Sequence, residues 1–135
     1  YRVVPLLPLK YPRVWLGLGW LLLILVMAGS VVPVIVVKGF SAADKLVHGG
    51  SYLILVTWFT GLYRRQHHIF IALALFALGL VLEVIQGQLP YRGFDPFDLL
   101  ANATGILFGL ILARSVFVAW CQRFERLFLT VNSSS

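Results

Sequence analysis

Long apolar stretches alternate with short polar interruptions along this chain. Residues 14–37 and 69–82 contain no charged side chain, and 43–63 and 96–120 are apolar apart from a few polar positions. A membrane-crossing helix needs about 20 largely apolar residues. The pattern therefore predicts four spans, at about 14–37, 43–63, 69–89 and 96–120, with Pro33 bending the first near its end. The period-2 alternation of a transmembrane β-barrel is absent. Short connections favour antiparallel neighbours. The expected fold is all-α, a compact bundle of four transmembrane helices forming one domain over residues 1–135.

The helix starts carry their own signals. Ser41-Ala42-Ala43-Asp44 has capping-box spacing, with Asp in place of Glu or Gln. Asp95-Pro96-Phe97-Asp98 supplies a cap residue, a proline at the first helical position and an early acid. After the fourth span, residues 121–129 alternate charge with Phe124, Leu127 and Phe128, which predicts a short amphipathic helix along the membrane interface.

Composition supports the class. The chain is 60% apolar and 12% charged, against about 45–50% and about 25% in soluble domains, and its mean hydropathy is +0.92. A single cysteine, Cys121, excludes an intrachain disulfide and a Cys-based zinc site. The net charge of +6 does not call for nucleic acid, because eight of the eleven Lys and Arg residues fall on one side of the expected topology. These are Arg2, Lys10, Arg13, Arg64, Arg65, Arg114, Arg123 and Arg126; Lys38, Lys45 and Arg92 fall on the other. Basic residues collect on the cytoplasmic side, so both termini are expected there. Trp15, Trp20, Tyr63 and Trp120 would then form an inner aromatic belt. A loop pair, His67-His68 beside Arg64-Arg65, reads as a solvated basic turn.

The acids lie oppositely. Asp44, Glu83, Asp95 and Asp98 are expected on the outer side and only Glu125 on the inner; with Lys38, Lys45 and Arg92 beside them the outer charges nearly balance, which predicts a paired cluster. Polar groups at this depth are expensive and mark candidate sites. Asp44, His48 and Tyr52 recur at i, i+4 and i+8 on one face; Glu83 and Gln86, and Asp98 and Asn102, form further polar faces. The simplest packing turns these faces toward each other. Helices 2 and 4 would both direct the positive ends of their dipoles outward, and with Lys45 and Arg92 they could receive an anion. Ala101, Gly105, Gly109 and Ala113 form a small-residue ridge suited to close helix contact.

Taken together, Asp44-Lys45-Leu46-Val47-His48, Glu83-Val84-Ile85-Gln86, Pro90-Tyr91-Arg92 and Asp98 through Asn102, Gly105 and Gly109 resemble the VanZ-like family of small bacterial membrane proteins. The similarity covers about residues 44–113, with Gly49 where the family has a large apolar residue. The resemblance implies a multi-pass protein of a bacterial inner or plasma membrane, in an envelope context linked to low-level teicoplanin resistance. It implies no particular reaction.

Three readings follow. In the first, the outward cluster binds a lipid headgroup or an anionic wall-precursor group through Asp44, Lys45, Tyr52, Gln86, Arg92, Asp98 and Asn102. In the second, the protein is a membrane-embedded enzyme on a lipid-linked or peptide substrate, with His48 and Glu83 as acid and base. No nucleophile elbow or zinc-protease motif accompanies them. In the third, the cluster is purely a structural network. A divalent metal on Asp44, His48, Glu83 and Asp98 is disfavoured with one histidine present, so neither metal nor cofactor is expected. A proton path is disfavoured because residues 69–82 carry no polar side chain. Membrane lipids are the expected partners.

Overall fold

The computed structural model describes residues 6–31, 42–90 and 95–129. Every element named within them is helical: α1 (Pro12–Val31), α2 (Ala42–Thr60), α3 (His68–Gln88), α4 (Pro96–Ala113) and α5 (Trp120–Phe124). A 3-10 turn, Arg65–His67, leads into α3, and a π-helical turn, Glu125–Leu129, follows α5. Three helices, α1, α3 and α4, are long and apolar enough to cross a membrane. The 19-residue α2 is not among them, because its first half carries Lys45, His48, Gly49, Gly50 and Ser51. The expected bend at Pro33 and cap at Ser41 lie outside the described residues.

Burial runs opposite to that of a water-soluble bundle. Glu83, Gln86, Asp98 and Asn102 are buried, while Leu21, Ile24, Phe70, Leu73, Val81, Leu107 and Phe108 are exposed. In water such an apolar surface would drive association. In hydrocarbon it is the natural outer surface, and polar side chains turn inward to find partners.

Helices α2 and α4 make the closest contact. A Cβ added to Gly105 would overlap the Gly49 carbonyl, and one added to Gly109 would overlap Val56 Cγ1. The ridge of small residues on α4 therefore has α2 as its partner, with backbone against backbone. Both helices begin at the same end of the bundle, where Lys45 meets Asp95 and Asp98. Helices α1 and α3 finish there, joined by the Gln86 amide donating to the Ser30 carbonyl at 2.7 Å.

The fourth helix is shorter than its apolar pattern predicts. It stops at Ala113 rather than near residue 120. Phe117 N–H turns back to the Leu112 carbonyl at 2.8 Å, and Ala119 adopts a left-handed backbone with φ 47°. This turn returns the chain toward α2, where Trp120 Nε1 donates to the Thr57 carbonyl at 2.7 Å. Its indole lies where Gly61 has no side chain.

The C-terminal segment is likewise tied into the bundle. Glu125 is 4% exposed. Its carboxylate accepts from Lys10 N–H at 2.6 Å, Tyr11 N–H at 2.9 Å and Trp15 Nε1 at 2.8 Å. Trp15 packs against Trp58, Trp120 and Phe124 with ring centroids 5.5–5.6 Å apart. Thus Trp15, expected in an interfacial belt, is core, whereas Trp20 is exposed and edges onto Phe59. Burial alone would raise the Glu125 carboxyl, but the three donors outweigh it and hold it below the ordinary carboxylate value.

Candidate functional site

The polar end of the bundle is built from the starts of α2 and α4 and the last turns of α3. Asp95 caps α4, its Oδ1 accepting from Phe97 N–H at 2.9 Å, with Pro96 at the first helical position. That is the arrangement the Asp-Pro-Phe-Asp sequence predicts, and it points Asp98 from the first turn toward α2. On α2, Lys45 and His48 lie one turn apart on the face opposite Asp98.

Lys45 Nζ is 2.6 Å from Asp95 Oδ2 and 2.5 Å from Asp98 Oδ1. His48 Nε2 is 3.5 Å from the other Asp98 oxygen, Oδ2. One carboxylate therefore receives both basic side chains of α2. The Lys45 ammonium beside Asp95, with the Phe97 N–H, holds the Asp95 carboxyl below its ordinary range.

Glu83 closes the third side. Its side chain is essentially inaccessible, at 1% exposure, and Oε1 accepts from the Asp95 backbone N–H at 2.6 Å. The Asp95 and Asp98 carboxyls adjoin it. So an acid buried near the end of α3 fixes the entry to α4, and Lys45 supplies the positive charge that lets three carboxyls share the site.

Below this group lies a second polar layer. Tyr52 and Asn102 are both buried and meet at Gly79 of α3. A Cβ there would stand 3.0 Å from Asn102 Nδ2 and 3.2 Å from Tyr52 Oη. Asn102 Oδ1 is buried and makes no hydrogen bond. A buried acceptor in that state loses about 1–3 kcal/mol of solvation, which favours any donor brought to it.

The sequence therefore identifies Lys45, His48, Tyr52, Glu83, Asp98 and Asn102 as residues that come together. Three of its details are set by the geometry. Lys45 is an ion-pair partner of the acids as well as a cation, because Asp95 and Asp98 both reach it. Gln86 turns to α1, since its amide donates to the Ser30 carbonyl. Asp95 both caps α4 and belongs to the cluster; its reach to Lys45 follows from how closely α2 and α4 pack. The Asp44 side chain and Arg92 lie outside the described residues. Among the described residues, no three His, Cys, Asp or Glu side chains are grouped as a metal site requires.

Chemically, the site joins an imidazole, an ammonium and three carboxyls over a buried amide and phenol. It can hold a ligand that carries both hydrogen-bond donors and charge, and His48 beside Asp98 can exchange protons with it. No family model matches this sequence, and no curated protein and no solved structure matches it either.

Proposed function

We propose that this chain is a four-span bacterial envelope protein with both termini cytoplasmic, whose outward polar cluster binds the headgroup of a lipid or lipid-linked wall precursor. In this reading α2 crosses the membrane with α1, α3 and α4, its polar first turns shielded by the contact with α4. The excess of Lys and Arg at the opposite end supports the orientation. The resemblance to VanZ-like proteins supports the envelope setting.

One observation carries the binding role: Asn102 Oδ1, buried without a donor beneath Lys45, Glu83 and Asp98. A closed structural knot would supply that donor. The surplus of acceptors favours a headgroup with hydroxyl or ammonium donors as well as a phosphate, the phosphate being met by Lys45, Arg92 and the starts of α2 and α4.

A purely structural role has its own support in the Lys45–Asp98 and Glu83–Asp95 links, which are complete without a ligand. Native mass spectrometry separates the two. Wild type should retain envelope lipid through detergent exchange, and Asn102→Leu should lose it while staying folded. Equal retention by both proteins would leave the structural role and dismiss the binding one.

A further inference from the structure

The end of the bundle away from Lys45 holds a separate cavity of about 130 Å³. Thr60, Tyr63, Arg65, His68, Ala113 and Arg114 contribute to its walls. The sequence reads His68 as part of a solvated turn, but it is 5% exposed. The 3-10 turn Arg65–His67 rolls its ring inward against the end of α2, where Nε2 sits 3.1 Å from the Tyr63 carbonyl. That contact fixes the proton on Nε2. The other ring nitrogen, Nδ1, is buried and has no hydrogen-bond partner.

The cavity is also positively charged. Arg65 and Arg114 reach it from the 3-10 turn before α3 and from the residue capping α4, close enough to act electrostatically on the imidazole. No ion pair joins either arginine to a carboxylate among the described residues. Two guanidinium groups and one imidazole thus converge on one cavity that opens at the surface beside the arginines.

We infer that this cavity is a binding site for a phosphate monoester, with Arg65 and Arg114 on the phosphoryl oxygens and His68 Nδ1 on the third. Guanidinium groups match phosphoryl oxygens in geometry and charge. The histidine adds the selectivity. With Nε2 protonated, Nδ1 offers a lone pair to the P–O–H of a singly ionised monoester. A phosphodiester has no such hydroxyl and meets only the arginines. The group bound can be the monoester headgroup of phosphatidic acid or free inorganic phosphate, since both carry an ionisable P–O–H.

The test uses full-length protein in phosphatidylcholine nanodiscs doped with phosphatidic acid or with phosphatidylglycerol, an anionic diester. Inorganic phosphate is titrated separately by phosphorus NMR relaxation. Phosphatidic acid, inorganic phosphate or both should bind saturably, the lipid about tenfold tighter than phosphatidylglycerol. Binding only of phosphatidic acid assigns the lipid source, and binding only of phosphate assigns the free anion. The exposed pair Arg65→Gln/Arg114→Gln, and separately His68→Gln, should each weaken it about tenfold. Arg13→Gln, exposed at the same end but outside the cavity, should not. Tryptophan fluorescence checks folding. The site is refuted if neither phosphatidic acid nor phosphate binds, if the two lipids bind with equal affinity, by wild-type affinity in either cavity variant, or by equal loss in Arg13→Gln.

Discussion

Lys45 and Asp98 stand 2.5 Å apart across the closest helix contact in the molecule, and Asp98 is only 8% exposed. Their helices approach this closely because Gly49 and Gly105 face one another. Removing one partner leaves a charge that the surroundings cannot hydrate. Lys45→Met should destabilise the protein by about 3 kcal/mol, the low end of the range because Asp95 is partly exposed. The double variant Lys45→Met/Asp98→Asn should recover part of that loss. Thermal unfolding of the four proteins of the cycle in detergent checks this, and additive single effects would mean that the pair is not coupled.

The packing beneath that pair gives a second expectation. Gly105→Ala places a methyl group on the Gly49 carbonyl, a backbone atom that cannot rotate away. A loss of about 3 kcal/mol is expected. Gly17, with nothing within 4 Å of its would-be Cβ, is the contrast: Gly17→Ala should be neutral or gain about 0.5–1 kcal/mol from helix propensity. Melting temperatures of the two alanine variants should therefore move in opposite directions or differ widely.

How much of this was legible in the sequence depended on whether the signal was local. The helix-forming stretches follow from apolar runs, and the start of α4 follows from Asp95 and Pro96. The meeting of polar faces follows from helical spacing, so Tyr52, Glu83, Asp98 and Asn102 were found. The end of α4 was not, because Val116, Phe117 and Val118 continue the apolar run with no Gly or Pro to break it. The burial of His68 and the Glu125–Trp15 bond, 110 residues apart in sequence, depend on tertiary contacts that leave no spacing behind. The near balance of charge foretold that Lys45 would be paired, and the geometry names Asp95 and Asp98 as its partners.

Glu125 makes the N-terminal anchor dependent on acid. Its folded carboxyl lies below the ordinary 4.5, so the anchor is complete above that pH and is lost as pH falls through the folded value. Trp15 emission should stay constant from neutral pH to about pH 5 and shift only below it. Glu125→Ala leaves the Lys10, Tyr11 and Trp15 N–H groups without their acceptor. It should shift the emission at every pH and lower stability by about 2 kcal/mol.

The proposed orientation is tested by thiol labelling. In a Cys121→Ser background, Gln88→Cys and Gln66→Cys place exposed thiols at opposite ends of the bundle. A membrane-impermeant maleimide applied to intact cells should label the residue-88 thiol only. The thiol at residue 66 should require permeabilised cells. The reverse pattern would put the polar cluster on the cytoplasmic side.

The headgroup site itself is tested most directly by crosslinking with photoreactive envelope lipids, mapped by peptide mass spectrometry. A headgroup site there should concentrate adducts near the starts of α2 and α4, around Lys45, His48 and Asp98, and Asn102→Leu should abolish them without unfolding the protein. Adducts spread evenly over the exposed apolar faces of α1, α3 and α4, and unchanged in Asn102→Leu, would contradict it.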